Sequence, residues 1–285
     1  MKYAVIDIGS NSVRLLINED GVSLFKKVEI TKLAKDMQDG MLDYRAIERT
    51  SQAVAYFFNY SKELFADKIY CFATAATRNA KNRQLLLDKI KELCGLEVDV
   101  ISGKKEAFYG AYGALNGLDG GVIDIGGASS EIAVINKNKM VYSHSLSVGA
   151  VTLTDHYLQS KDQAGDFLAQ KLKEYGNVNC KKFYALGGTA TSISAVLQKL
   201  DVYDASKVHG YVIEKGELYD LVDKLFDMSI EDRRLLKGLQ PQRAEIIAQG
   251  GLILLSIMNY LKIERVTVSE NDNLEGYLME KIKNE

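Results

Sequence analysis

Three glycine-bearing segments stand out for the chemistry their residue types allow: Gly9-Ser10-Asn11-Ser12, Gly126-Gly127-Ala128-Ser129 and Gly187-Gly188-Thr189-Ala190-Thr191. A turn with few side chains lets backbone N–H groups close on a ligand, and hydroxyls add donors; both suit phosphate oxygens. The third segment leads into an expected helix, where unpaired N–H groups and the dipole also favour an anion. The first two follow apolar runs that end in an acid, Asp7 and Asp124, and Glu131 lies just beyond the second. Carboxylates beside a phosphate need a counter-charge: at an effective dielectric of about 20, unit charges about 5 Å apart repel by about 3 kcal/mol. Mg²⁺ prefers hard oxygen ligands and takes one or two carboxylates plus substrate phosphate. The expectation is therefore Mg²⁺ between the two aspartate-bearing loops, held by Asp7 and Asp124; the alternative is that both aspartates merely cap their turns. His144, His156 and His209 show no close metal-ligand spacing, which argues against zinc.

The elements that must position these loops follow from periodicity. Val5–Ile8 and Val13–Ile17 are β-branched, apolar runs around a polar turn and predict a β-hairpin. Apolar residues recur at helical spacing from about Asp43 to Ala66, and Lys68–Thr74 reads as a strand. A helix over Asn82–Cys94 closes at Gly95, where a left-handed backbone is tolerated. A strand at Val98–Ile101 leads into a helix over Lys104–Leu115. Val122-Ile123-Asp124-Ile125-Gly126 then repeats Val5-Ile6-Asp7-Ile8-Gly9 identically, and both copies run through a polar turn into a strand ending Ile-Asn. Such matching predicts a duplication, two similar α/β domains that each open with the same hairpin. The break at 116–121 sets their bounds at 1–117 and 118–285, with the last helix able to pack back on the first domain. The second half continues with helices at Ala150–Leu158 and Gln163–Tyr175, a strand at Lys182–Leu186 and a helix to about Leu200. A helix at Arg243–Leu261, a strand at Arg265–Ser269 and a helix from Leu274 complete it.

The chain has 285 residues, 47% of them hydrophobic and 26% charged, with a formal charge of −2. This composition excludes collagen-like and largely disordered chains, and no global basic field draws it to nucleic acid or anionic lipid. Cys71, Cys94 and Cys180 are far apart, odd in number and among apolar neighbours, as expected of reduced core thiols. The acid at Asp7 interrupts any signal-like apolar run, and no stretch of about 18 apolar residues occurs. The expectation is a cytoplasmic protein with no membrane or nucleic-acid polymer as partner.

Several segments, in order, resemble the exopolyphosphatase/guanosine pentaphosphate phosphohydrolase (Ppx/GppA) family: Asp7 to Arg14, Thr74 to Asn82, Ile101 to Ala107, Asp124 to Glu131, Gly187-Gly188-Thr189, Val208-His209-Gly210 and Arg243 to Ile247. The resemblance covers essentially the whole chain. It implies the two-domain α/β fold shared with actin, sugar kinases and heat-shock chaperones, its site in the interdomain cleft. It also implies Mg²⁺-dependent hydrolysis of terminal phosphoanhydride bonds in inorganic polyphosphate or guanosine pentaphosphate, and a homodimer as a family-level expectation. Glu106 resembles the family's catalytic glutamate, Glu131 a second glutamate that activates water, Asp124 the metal-linked aspartate and Arg78 a phosphate-binding arginine. Gly9, Ser10, Asn11, Gly126, Gly127, Ser129, Gly188 and Thr189 would hold phosphate oxygens.

This chain departs from the family pattern at Ala128, where glycine is usual, and at Lys105, where a second acid is common. The segment Ser269 to Gly276 lacks the usual Gly-Leu-Arg before Glu-Gly. Longer members continue into a further helical domain, so short polyphosphate chains are expected over very long ones, and the choice between polyphosphate and guanosine pentaphosphate stays open. Three other readings are an ATP-dependent kinase of the same superfamily, an alarmone- or nucleotide-binding protein without turnover, and an actin-like polymer subunit.

Overall fold

In the computed structural model, which describes residues 1–35, 37–157 and 160–284, the first hairpin forms from β1 (Lys2–Ile8) and β2 (Ser12–Glu19), with Asp7 opposite Arg14. A third antiparallel strand, β3 (Val22–Ile30), extends it. The sequence pattern does not announce β3, because none of its residues is fully buried. Helix α1 (Tyr44–Glu63) is started by Asp43, whose carboxylate accepts from the Arg45 and Ala46 amides at 2.9 and 3.1 Å. Strand β4 (Lys68–Ala73) returns parallel to β1, followed by the short α2 (Ala75–Asn79) and by α3 (Arg83–Cys94), which Gly95 closes at φ 73°. Strand β5 (Asp99–Val100) and α4 (Gly103–Ala114) follow. The sheet order is β3-β2-β1-β4-β5. Its core packs Ile6, Ile8, Leu15 and Ile17 against Val54 and Phe57 of α1 and Leu86 and Ile90 of α3.

The second half repeats the plan. Strands β6 (Gly120–Ile125), β7 (Ser130–Asn136) and β8 (Lys139–Leu146) form the antiparallel set, with Asp124 opposite Glu131. Helices α5 (Ala150–Tyr157) and α6 (Lys161–Lys171) come next; Leu158, the end expected for α5, lies outside the described residues. Strand β9 (Phe183–Leu186) runs parallel to β6 and feeds α7 (Gly187–Leu197). Then come α8 (Ala205–Val208), β10 (Val212–Glu214), α9 (Lys215–Asp227), α10 (Ile230–Arg234), α11 (Ile247–Leu261), β11 (Arg265–Val268) and α12 (Asn273–Lys283). The order β10-β11-β9-β6-β7-β8, read from β8, repeats the first sheet with β10 added outside. The long apolar helix α11 is buried along most of its length. The duplication predicted from five repeated residues is thus a duplication of whole sheets.

Two compact units result, Met1–Tyr109 with Tyr277–Glu285, and Gly110–Gly276. The division falls inside α4 and α12 and not at the expected turn after Gly117, and packing explains why. Tyr109 and Tyr277 meet edge to face at 5.5 Å in the first unit. Farther along α4, a Cβ on Gly113 would stand 1.9 Å from the Asp272 carbonyl oxygen, in the second. Of the cysteines, Cys71 is buried, and burial pushes its thiol well up; Cys94 and Cys180 are half-buried, not the core residues expected. Among the described residues no helix is long and apolar enough to cross a membrane.

Candidate functional site

In each sheet the chemistry-bearing residues collect where the parallel strands end at their carboxyl termini, the usual place for ligands in α/β sheets. In the first unit β1 delivers Gly9–Ser12, β4 delivers Arg78 through α2, and β5 leads into Glu106 in the first turn of α4. The turn is pinned by Gly9 N–H donating to the Ser12 carbonyl at 2.9 Å. The Ser10 carbonyl accepts from the Ala34 amide, and the Asn11 carbonyl from those of Thr31 and Lys32. A trans peptide holds its C=O and N–H in opposite directions, so the Ser10 carbonyl's bond turns the Asn11 N–H away from that segment. Ser10 and Asn11 are exposed.

Asp7 is 2% exposed, and Arg14 holds its Oδ2 through Nε at 2.9 Å and Nη2 at 2.5 Å. Arg78 donates through Nη1 to Glu106 Oε2 at 2.8 Å and to the Ile101 carbonyl at 3.0 Å. The expected base and the expected phosphate-binding arginine are therefore neighbours. Lys105, which stands where the family commonly has a second acid, is engaged by Glu280 at 3.7 Å.

In the second unit Gly126 N–H donates to the Ser129 carbonyl at 2.9 Å, the same bond at the same place as Gly9 to Ser12. The Gly126 and Gly127 carbonyls accept from the first amides of α5, those of Ala150, Val151 and Thr152. Gly149 makes this approach available: a Cβ there would lie 2.5 Å from the Gly127 carbonyl carbon. The N-terminus of α5 is thus spent on the turn. Opposite Asp124, Glu131 accepts from the Ser145 hydroxyl at 2.6 Å through Oε1.

The third glycine loop opens α7, whose cap position is Leu186, a residue with no side-chain acceptor to offer. Gly187 has φ 81°, and a Cβ on it would stand 2.6 Å from Asp124 Oδ1, so glycine lets the carboxylate lie against the helix start. The Thr189 hydroxyl, expected on a phosphate, is buried and donates to the Ile125 carbonyl at 3.2 Å. A Cβ on Gly188 would fall 2.0 Å from the Arg243 guanidinium. Arg14 and Arg243 end and open two of the family-like segments, and the sequence pattern alone assigns neither a role. Their signals were the residue opposite Asp7 in the hairpin and a glycine with no room above it. At Ser269 to Gly276, Leu274 is fully buried, and Glu275 accepts from the Asp272 amide at 2.9 Å.

The donor chemistry of the second unit fits a hard divalent cation: two acids stand opposite one another across β6 and β7, beside a glycine-bearing turn. No group of three or more His, Cys, Asp or Glu gathers among the described residues. One carboxylate with places left for phosphate and water suits Mg²⁺ better than a closed structural metal, and Asp124 is the residue that would supply it.

The profile of the Ppx/GppA phosphatase family matches residues 16–285. The chain is 29% identical to the Ppx/GppA phosphatase of Aquifex aeolicus, whose type II crystal structure superposes with a TM-score of 0.92 over 99% of both chains. It is 32% identical over 99% of its length to a bifunctional 3-dehydroquinate synthase/phosphatase of Fusobacterium nucleatum, of which it spans 46%. Exopolyphosphatase 2 of Mycobacterium tuberculosis is 28% identical, the match covering 96% of this chain and 97% of that protein.

Proposed function

Since the chain belongs to the Ppx/GppA phosphatase family, we propose that it hydrolyses the terminal phosphoanhydride bond of inorganic polyphosphate or guanosine pentaphosphate, releasing orthophosphate. The observation that carries this reading is the 2.8 Å pair between Arg78 and Glu106. It sets a phosphate-binding guanidinium beside a carboxylate able to take a proton from water. That the exopolyphosphatase relative matches along nearly its full length supports it.

Phosphoryl transfer asks for positioning and charge neutralisation more than covalent help. In the first unit Arg78 and the amides of Ser10 and Asn11 hold phosphoryl oxygens, the Gly9 amide being spent on the Ser12 carbonyl. In the second unit, taken by itself, Gly127, Ser129 and the start of α7 at Gly188 are the phosphate donors, the Gly126 amide being spent on the Ser129 carbonyl. Glu106 accepts a proton as water attacks the terminal phosphorus, the bond from phosphorus to the bridging oxygen breaks, and the shortened chain leaves with that oxygen. In the second unit Glu131, its Oε1 fixed by Ser145, is the carboxylate that would orient a water. Asp124 is the residue that would hold Mg²⁺, which when bound neutralises charge on the phosphate oxygens. Asp7 was expected as a second ligand, but a cation there would sit against the Arg14 guanidinium. Asp7, held by Arg14, fixes the hairpin, and Asp124 is left to hold the metal.

Phosphate release is measured on short polyphosphate, long polyphosphate and guanosine pentaphosphate, with Mg²⁺ or with chelator. Chelator should abolish release and Mg²⁺ restore it, and Glu106→Gln should lower the rate by about 10²- to 10⁴-fold. Release from none of the three substrates refutes the hydrolase reading, and an unimpaired Glu106→Gln removes Glu106 from the mechanism.

A further inference from the structure

Helix α4 carries Glu106 yet is weak by composition, with Gly103, Gly110 and Gly113 along its length, each costing helix stability relative to alanine. Its rotation about its own axis decides where Glu106 points. Successive residues of an α-helix step by about 100°, so Lys105 and Tyr109, four apart, share one stripe while Glu106 stands about a quarter-turn away. That stripe meets α12. The Tyr109 hydroxyl donates to the Glu280 carboxylate. Lys105 Nζ lies 3.7 Å from the same carboxylate and 6.0 Å over the Tyr109 ring. Glu106, on the neighbouring stripe, meets Arg78.

Glu280 is itself anchored. Tyr277 of α12 donates to Asp99 Oδ2 of β5 at 2.5 Å, Lys281 pairs with the same oxygen at 2.7 Å, and the Tyr277 ring stacks on Phe72 of β4 at 4.6 Å. Of Glu280's two contacts with α4, the Lys105 ion pair is solvent-exposed and contributes little. The Tyr109 bond is the firm one: the ring is 1% exposed, and burial, with Glu280 beside it, pushes the hydroxyl far up, so it stays a donor at any working pH.

We infer that Glu280 is a positioning residue for Glu106: by accepting the Tyr109 hydroxyl it fixes the rotation of α4 and thereby aims the carboxylate one residue past Lys105. The inference rests on the reading of Glu106 as the base. It extends the candidate site to a residue on the last helix that never meets substrate.

The test is a double-mutant cycle on phosphate release from short polyphosphate with Mg²⁺. Glu280→Ala should lower kcat about tenfold, with KM moved less than about twofold, because a misaimed group is missed in the transition state and not in binding. Glu280→Gln, which keeps an acceptor for Tyr109, should recover most of the rate, and Tyr109→Phe should reproduce the loss. In the Glu106→Gln background Glu280→Ala should have no further effect, since a residue acting only through Glu106 has nothing left to aim. An equal loss from Glu280→Ala in both backgrounds overturns the inference, as does wild-type kcat in a folded Glu280→Ala. A fully active Glu106→Gln overturns both the reading of Glu106 and the inference. An inactive Glu106→Gln beside an unaffected Glu280→Ala overturns the inference alone.

Discussion

The hairpins β1–β2 and β6–β7 share backbone and differ in charge. Each ends its first strand in Ile-Asp-Ile-Gly, and each closes its turn with an N–H to C=O bond of 2.9 Å from glycine to serine. Across the ladder, however, Asp7 faces Arg14 and Asp124 faces Glu131. The carbonyls of the first turn are met by Thr31, Lys32 and Ala34, those of the second by the start of a helix. In one copy the acid is paired with a guanidinium across the ladder, and in the other two acids share the corresponding positions. A duplicated frame can carry different charges at matched positions, because the ladder fixes which residues face each other while leaving their identities free.

The widest separation between the copies should appear on replacing the two aspartates. Asp124→Asn should cut phosphate release about 100-fold or more, since several kcal/mol of charge stabilisation would go with the metal. Asp7→Asn should instead cost stability, about 2 kcal/mol after discounting for the partial exposure of Arg14, read from urea unfolding. Equal behaviour of the two variants would break the comparison. Next comes Gly149→Ala, whose Cβ would collide with the Gly127 carbonyl. It should destabilise by about 1–3 kcal/mol, as overpacking does, and slow phosphate release by disturbing the second turn alone.

The smallest effect concerns the frame behind Glu106. Burial works to raise the Asp99 carboxyl, but the bonds from Lys281 and Tyr277 outweigh it and hold the group below its ordinary value. A carboxyl depressed in the folded state contributes stability that is present above its unfolded pKa of about 4 and is lost as pH falls through the folded value. Melting temperatures of wild type and Asp99→Asn should therefore converge below about pH 4. A constant difference across pH would show that the charge on Asp99 contributes nothing there.

Within the first unit, β1, α1, β4 and α3 were readable because each buries one face against the sheet and shows it as periodicity. The edge strand β3 buries no residue fully and left no such trace. Short α2 was missed for another reason: five residues are too few to display a helical period. At the site, residues tied to a local pattern, such as the Gly turns and the aspartates that precede them, stood out in one dimension. Arg14, Arg243 and Glu280 did not, because their meaning depends on what lies opposite, above or across from them.

The order of residues alone determined the α/β class, the duplication and the chemical character of the loops, since alternation, helical spacing and a repeated pentapeptide are properties of neighbours along the chain. Only the folded chain decided that Asp7 is paired with Arg14, that Thr189 spends its hydroxyl on Ile125, that Lys105 belongs to Glu280 and that Arg78 reaches Glu106. Each of these joins side chains through strand register or helix packing. A charge is neutralised by whatever lies within a few ångströms of it, and sequence distance does not set that separation.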